Sequence, residues 1–354
     1  MVVLIFAGDL KYCPYIERYI ERLESKQIEY SVLFWNRGGF HFDLPENYYY
    51  FDYPSRLKQS KVTKLFDFLH FRKWVLSAVA KLHCEKVIFL STFSGVLFFD
   101  IAKKYKKRFI LDIRDYSYEF FAPYRYIENE IIKNSYFTAI SSKGFREFLP
   151  KEDYVIAHNF NRKDFKPGRK KAPCQDPIHI VWNGVMRYFD FQRQYIDALA
   201  NDERFLLIYN GDGPDLDQYI SYCNARNIKN VHFSGSYDND DKSKLLNNAD
   251  LLNNCYGYMS NAGCKLKYAV SNKFYDGIMY HIPQLVEPEG FKTDWVTGAG
   301  VGTSIKIDSC FADLLFDYCH SIPESFDTDC DNLLHEIVGE DDQYIQSINL
   351  FLEL

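Results

Sequence analysis

The sequence lacks any stretch of ~18 uninterrupted apolar residues, so it contains no candidate membrane-spanning helix. The opening run Met1-Val-Val-Leu-Ile-Phe-Ala-Gly is too short to span a bilayer and reads as a first buried strand. Paired cysteines are missing too. The nine cysteines, Cys13, Cys84, Cys174, Cys223, Cys255, Cys264, Cys310, Cys319 and Cys330, include no Cys-x-x-Cys. Their odd number, their wide spacing and the lack of a signal-peptide pattern lead us to expect reduced thiols in a cytosolic protein. No His/Cys/Asp cluster has zinc-like spacing, and the aspartates of Asp238-Asn-Asp-Asp241 read as a solvated turn, so no metal site is expected. A recognised nucleic-acid motif is also absent, which argues against nucleic acid as a partner.

The chain does have length and an uneven charge. Its 354 residues suit two domains of about 150 to 180 residues, each large enough for its own core. Hydrophobic content of 47% and charged content of 25% are those of a globular protein. Aromatics reach 18%, with 30 Phe and 28 Tyr spread along the chain as core and surface-cleft material. The net charge of −6 conceals two unlike halves. Residues 1–170 carry 29 Lys+Arg against 20 Asp+Glu, net +9, and residues 171–354 carry 13 against 28, net −15. The basic clusters Lys58, Lys61, Lys64, Arg72, Lys73 and Lys103, Lys104, Lys106, Lys107, Arg108 form either a solvated helix face or a surface for anionic lipid head groups or a phosphate-bearing acceptor. The acidic half would repel nucleic acid.

In the first half, apolar runs alternate with helical patterns. Strands are expected at Val2 to Phe6, Ser31 to Trp35, Lys86 to Leu90, Phe109 to Ile113, Phe137 to Ile140 and Tyr154 to Ala157. Helices are expected at Tyr15 to Lys26, Lys73 to Leu82 and Val96 to Tyr105. Strands separated by helices mean βαβ units and a parallel, doubly wound sheet, in which ligands sit at the carboxyl ends of strands. The residues there are Gly8 and Asp9, then Ser91 and Thr92, then Asp112, Arg114 and Asp115. From Asn159 to Pro177 the pattern lapses into a polar, proline-containing linker. The domains are therefore expected at 1–165 and 175–339.

The second half restarts the alternation. Strands are expected at His179 to Trp182, Phe205 to Tyr209, Val231 to Phe233 and Ala249 to Asn253, with helices at Gln194 to Ala200, Leu216 to Arg226 and Lys242 to Asn247. Three strand ends carry glycine: Asn183-Gly184-Val185-Met186-Arg187, Asn210-Gly211-Asp212-Gly213-Pro214 and Ser234-Gly235-Ser236. Glycine there lets backbone N–H groups approach a phosphate, and three in series point to one shared cleft. The stretch Ser271 to Glu287 follows. It reads as a helix capped by Asn272, with Lys273 in its first turn and Phe274, Ile278 and Met279 on its apolar face, ended by Pro283 before the strand Gln284-Leu285-Val286. Such a helix start is a plausible anion site.

These residues resemble a family. Gly184-Val-Met-Arg187, Asn210-Gly-Asp-Gly-Pro214, Val231-His-Phe-Ser-Gly235, Ala249-Asp250-Leu251 and Asn272-Lys-Phe-Tyr-Asp276 up to Pro283 look like a GT-B fold glycosyltransferase. They are most similar to bacterial enzymes that build capsule, O-antigen or other surface polysaccharides. The resemblance is specific over about residues 178–290 and architectural over the first half, where Ala139-Ile-Ser-Ser142 and His158-Asn159 echo the family's domain junction. It implies two Rossmann-like, doubly wound α/β domains facing a central cleft, acceptor-side first and donor-binding second, with a C-terminal helix at about 340–354 crossing back. It also implies roles for single residues. Gly184 would face the donor diphosphate and Arg187 would compensate its charge. Asn210, Gly211 and Gly213 match the turn beside the nucleotide, and Ser236 and Tyr237 fall near the base. Asn272 and Lys273 stand at the helix start facing the diphosphate or sugar, and Asp276 falls where an acidic residue receives ribose hydroxyls. Two positions depart from the family. Tyr268 stands eight positions before Asp276, where a carboxylate is usual, and Phe189 or Asp190 replaces a lysine that often follows the first arginine.

The expected reaction moves a sugar from a nucleoside-diphosphate sugar, of UDP or GDP type, to a hydroxyl of a glycan or lipid-linked acceptor. No tightly bound cofactor and no metal are expected, because Arg187, Lys273 and backbone dipoles would stabilise the leaving diphosphate. An inverting enzyme would need a base from the first domain, for which Asp9 and Asp115 are candidates and Gly8 neighbours the first. His158 and His281 read as interdomain or surface residues. Two alternatives stand beside this reading: a GT-B nucleotide-sugar epimerase, and a non-catalytic nucleotide-sugar-binding scaffold. The tail from Asp341 to Leu354 is amphipathic and reads as the returning helix, with a partner-binding or membrane-surface helix as its rival. The expected location is cytoplasmic, with peripheral contact at the inner face of the membrane through the basic half.

Overall fold

The computed structural model describes residues 1–41, 43–55, 60–160, 162, 174, 176–238, 241–256 and 263–354. Lys58, most of the stretch from Asn159 to Pro177 and the middle of the turn Asp238-Asn-Asp-Asp241 lie outside them. The chain divides into two compact units, Met1–His158 with Gly339–Leu354, and Asn159–Val338.

In the first unit the strands are β1 (Val2–Phe6), β2 (Tyr30–Asn36), β3 (Tyr48–Asp52), β4 (Lys86–Phe89), β5 (Phe109–Ile113), β6 (Phe137–Ile140) and β7 (Tyr154–Ile156). They form one sheet in the order β3-β2-β1-β4-β5-β6-β7, and every pairing is parallel. The helices are α1 (Ile16–Ser25), α2 (Lys61–Lys81), α3 (Thr92–Leu97), α4 (Phe99–Lys104) and α5 (Ala122–Asn134). A parallel sheet is covered on both faces, and so β1 and β5 read as unbroken apolar runs and are buried along almost their whole length. Val2, Leu4, Val32, Phe34, Ile88 and Ile110 meet Tyr19 and Leu23 of α1, and Tyr344, Ile348 and Phe351 of the C-terminal segment complete that core.

The polar groups inside this core are paired. Asp112 of β5 is fully buried, and Arg114 grips both of its oxygens at 2.6 and 2.9 Å while donating to the Ala157 carbonyl at 2.8 Å. Tyr19 donates to the same carboxylate at 2.7 Å. A buried ion pair persists only with such extra hydrogen bonds. Asp112 and Arg114, expected at a ligand-facing strand end, are therefore part of the scaffold. The C-terminal segment is tied down in the same way: Arg18 pairs with Asp341, and Glu340 receives His158 and Lys143, each at 2.8 Å.

In the second unit the strands are β8 (Ile178–Asn183), β9 (Phe205–Asn210), β10 (Val231–Gly235), β11 (Leu251–Asn253), β12 (Gln284–Val286) and β13 (Gly302–Ser304). Their order is β10-β9-β8-β11-β12-β13, again all parallel. Helices α6 (Phe189–Ala198), α7 (Leu216–Ala225), α8 (Lys242–Leu246), α9 (Gly263–Tyr268), α10 (Asn272–Met279), α11 (Phe291–Gly298), α12 (Phe311–His320) and α13 (Phe326–Glu353) accompany them. The order runs outward from β8 in one direction and from β11 in the other. The crevice between those two strands is the switch point at which doubly wound sheets hold ligands.

Several expected boundaries shift. The helix expected at Lys73 to Leu82 begins at Lys61, because Ser60 accepts the Thr63 N–H at 3.1 Å and caps it. The helix expected at Val96 to Tyr105 is two short ones, parted at Phe98 and preceded by a Ser91 cap that accepts the Ser94 N–H at 3.0 Å. The C-terminal tail is the end of a 28-residue helix.

One buried acid gives this fold a pH dependence. Burial, and then the neighbouring Glu119 carboxyl, push Glu128 of α5 up to about 8. A carboxyl raised in the folded state contributes stability that is fully present below the ordinary glutamate value and lost as pH rises through about 8. The wild-type Tm is therefore expected to fall by several degrees between about pH 6 and pH 9, and Glu128→Gln should flatten that fall in a calorimetric series.

Candidate functional site

The site is built at the ends of β8, β9, β10 and β11. The first three strand ends are zipped together by their backbones. Gly184 N–H donates to the Asn210 carbonyl at 2.9 Å, Met186 N–H to Asp212 at 3.0 Å, and Gly211 N–H to Gly235 at 2.8 Å. Side chains repeat the zipper, since Asn210 donates to Asn183 at 2.7 Å and accepts from Ser234 at 2.7 Å. Asn210, expected beside a nucleotide, thus spends its buried amide on the strand ends. Gly211 and Gly213 have a related reason for being glycine. A Cβ on Gly211 would stand 2.0 Å from the Gly184 carbonyl oxygen, and one on Gly213 would stand 2.4 Å from that of Met186. Both let one loop lie against the next.

Gly184 differs. Its φ is +131°, and a Cβ there would meet only the Lys273 ammonium, at 3.7 Å. Lys273 lies in the first turn of α10, which is locked in place from below. Ser271 donates to the Asn254 side-chain oxygen at 2.6 Å, Asn254 donates to Gln284 at 2.8 Å, and Gln284 donates to the Phe274 carbonyl at 3.1 Å. Gly277 of the same helix leaves the room that Gln284 occupies. The cap position belongs to Ser271, not Asn272. With its hydroxyl spent on Asn254, Ser271 makes no side-chain cap bond, and Asn272 is an exposed first helical residue.

Only 4% of Lys273 is exposed. Its ammonium donates to the Tyr256 hydroxyl at 2.6 Å and stands 3.4 Å from the centre of the Trp182 ring. Trp182 belongs to β8 and Tyr256 follows β11, so the ammonium sits at the switch point. Burial, then the positive charge of Lys292, hold Lys273 well below the ordinary lysine value; Asp276 pulls the other way, and the charge of Arg187 adds a weaker push down. Tyr256 is fixed in turn: Glu287 accepts its backbone N–H at 3.1 Å and pairs with Lys292 at 2.9 Å, and Lys292 also donates to the Asn254 carbonyl. Arg187, exposed on the loop after β8, lies beside Tyr188 and contributes to the positive field at Lys273 and Tyr256. Three cations thus surround a desolvated crevice, and Lys273 is bonded to no carboxylate among the described residues.

The other expected residues flank this centre. Asp276, one turn after Lys273, is buried and pairs with Lys242 of α8 at 3.1 Å. Tyr237 is half-buried beside them, its hydroxyl pushed up by burial and then by the Asp276 charge. Ser236 is exposed and donates to Asp212 at 3.5 Å. In the first unit, Gly8 and Asp9 follow β1, and Asp9 is buried with one oxygen accepting the Gly38 N–H at 2.9 Å. Asp115, after β5, is exposed. His281 is buried rather than on the surface: Asp327 and Asp331 hold its two nitrogens at 2.8 and 3.2 Å. Tyr268 ends α9, half-buried, with the Lys267 ammonium over its ring. Sequence reasoning missed Trp182, Tyr256, Lys242, Glu287 and Lys292, although three of the five sit at or just beyond strand ends.

No family model and no curated protein sequence matches the chain. Solved structures do. HepE of Anabaena in complex with UDP aligns with a TM-score of 0.63 at 12% identity, over 98% of each chain. The sucrose-phosphate synthase of Thermosynechococcus elongatus aligns at 0.71 and 12%, over 100% of this chain and 99% of that one. The fold is GT-B. A lipopolysaccharide outer core galactosyltransferase, WaaB, shares it over the full length of both chains, at 15% identity and a TM-score of 0.63. Two parallel sheets of seven and six strands, each doubly wound, are what this GT-B chain has in common with them.

The interlocked loops give a stability test. Gly211→Ala should destabilise the protein by about 3 kcal/mol or more in chemical denaturation, because a positive φ and a backbone clash coincide. Gly235→Ala, at φ +76° with nothing within 4 Å of the added carbon, should cost only about 1 kcal/mol.

Proposed function

We propose that the chain is a glycosyltransferase that moves a hexosyl group from a nucleoside-diphosphate sugar, of UDP or GDP type, to a hydroxyl of a glycan or lipid-linked acceptor in the synthesis of a bacterial surface polysaccharide. The observation that carries this reading is the buried Lys273 ammonium, bonded to no carboxylate among the described residues, facing the bare side of Gly184 with Arg187 nearby. A diphosphate placed there supplies the negative charge the crevice lacks. Lys273 gives it a desolvated point charge and Arg187 a planar fork that binds two oxygens at once. As the bond to the sugar breaks, charge grows on the leaving diphosphate, and fixed cations stabilise that charge without reorganising. They do so without need of a metal ion. Asp276, already ion-paired with Lys242 beside Tyr237, accepts the ribose hydroxyls, which puts the base near Ser236 and Tyr237. For an inverting transfer the base is Asp9 or Asp115 at the strand ends of the first unit. The complexes of HepE with UDP and with UDP-glucose support the choice of donor class.

A thermal-shift screen against UDP, GDP, CMP and ADP tests the donor site. One diphosphate nucleotide should raise Tm by several degrees at about 100 Kd. Lys273→Met should hold or raise the Tm of the unliganded protein, since it removes a desolvated cation, and should abolish the nucleotide shift; Arg187→Ala should weaken it about tenfold or more. Absence of stabilisation by every nucleotide, or retention of the shift in both variants, sinks the assignment.

A second measurement separates the two ends of the donor. Asp276→Ala should weaken nucleoside-diphosphate binding by calorimetry while leaving inorganic pyrophosphate binding within about twofold, because the lost carboxylate is assigned to the ribose.

A further inference from the structure

The connection between β5 and α5, residues 114–121, is folded with an acid inside and aromatic rings outside. Phe120, Phe121 and Tyr118 are 74%, 56% and 47% exposed, whereas Glu119 among them is buried. Water favours the reverse, so something holds the acid in. One oxygen of Glu119 accepts the Ser117 N–H, which closes a tight turn within the connection. The same carboxyl lies against Glu128 of α5, which is completely buried.

Two acids that meet where there is no water cannot both be ionised. Neither oxygen of Glu128 has an N–H or hydroxyl partner among the described residues, and the buried Tyr124 hydroxyl, one turn earlier on the same helix, has none either. What Glu128 can bond is the Glu119 carboxyl, and only through a proton that one of the two carries. Arg125 of α5 favours the ionised form of Glu128, but burial and Glu119 outweigh it and push the carboxyl up to about 8. The hydroxyls of Tyr124 and of Tyr154 on β7 lie within reach of the pair. Burial and then the glutamate charges push both up, and at Tyr154 Glu152 adds to this and Arg146 opposes it.

We propose that the Glu119–Glu128 carboxyl pair is a proton-operated latch on the connection between β5 and α5. With one proton held between the carboxyls, Glu119 stays inside and the connection is closed on α5. When that proton passes to water, two carboxylates are left facing each other, Glu119 turns out to solvent, and residues 115–121 come away with it. The ring contacts of the connection, Tyr118 with Phe93 at 5.8 Å and with Tyr124 at 5.6 Å, and Tyr116 with Phe148 at 5.0 Å, are indifferent to that proton. Asp115 begins this stretch after β5, so the latch sets where that carboxylate stands. The proposal stands apart from the donor-site reading, since it uses residues of the first unit only.

Amide hydrogen exchange of the full chain from pH 5 to pH 9, corrected for the intrinsic exchange rate, reads the latch at Ser117, whose N–H is bonded to Glu119. Between the ordinary glutamate value of about 4.5 and about 8, the closed form holds one proton more than the open form. Protection of Ser117 should therefore fall by about tenfold per pH unit as pH rises across that window, and level off above it. Glu128→Gln should remove the slope, because its amide donates to Glu119 at every pH. Glu119→Gln, which can still accept the Ser117 N–H and donate to Glu128, should remove it too. The proposal fails if wild-type protection at Ser117 does not change with pH, or if either variant keeps the wild-type slope. It also fails if Ser117 exchanges only together with Ile110 and Leu111 of β5 at equal protection, because the pair then acts on global unfolding alone.

Discussion

The second unit is organised around a cation kept away from water. Lys273 is nearly enclosed, bonded to a phenol and seated on an indole face, with two further positive groups near enough to lower its affinity for a proton. Left alone, that is an unfavourable arrangement. It persists because everything beneath it is over-determined. Asn254, Gln284 and Ser271 hold the helix, and Glu287 with Lys292 holds the tyrosine. Its charge is thus held in place before any ligand arrives, which is the pre-organisation that the proposed donor site requires.

Much of the frame could be read from residue order. Strand runs such as Val2–Phe6 and Phe109–Ile113 are continuous and apolar because both faces of a parallel sheet are covered, and that leaves a plain signal. β3, Tyr48-Tyr-Tyr-Phe-Asp52, escaped notice because it is an edge strand that stays partly exposed. The first three turns of α2 escaped because Val62, Leu65, Phe66 and Leu69 face outward while Phe68 and Phe71 pack inward on Trp35, and the two stripes blur each other's period.

The site itself was legible in part. Gly184, Arg187, Lys273 and Asp276 stand out by type and position at strand and helix ends. Their supports do not, because Tyr256, Glu287 and Lys292 acquire meaning only from contacts between β11, β12 and α11. Histidine misled in its own way. His281 reads as a surface or interdomain residue in a sequence, yet two aspartates from the start of α13 bury it in a structural role. The strand-end glycines read as phosphate-facing, but two of the three in the first two loops serve loop-to-loop closeness and Gly184 alone leaves room beside the ammonium.

The long final helix begins in one unit and finishes in the other. Tyr344, Ile348 and Phe351 are core residues of the first unit, beside Val2 and Leu4 from the opposite end of the chain. The first unit is therefore discontinuous, and the second is a single uninterrupted segment. During synthesis the usual order is reversed: the second unit has all its residues while the first still waits for its last sixteen or so, Gly339–Leu354. Until that segment emerges, Val2, Leu4 and the other residues packed on Tyr344, Ile348 and Phe351 lack part of their core, so the first unit completes its folding after the second has its whole sequence.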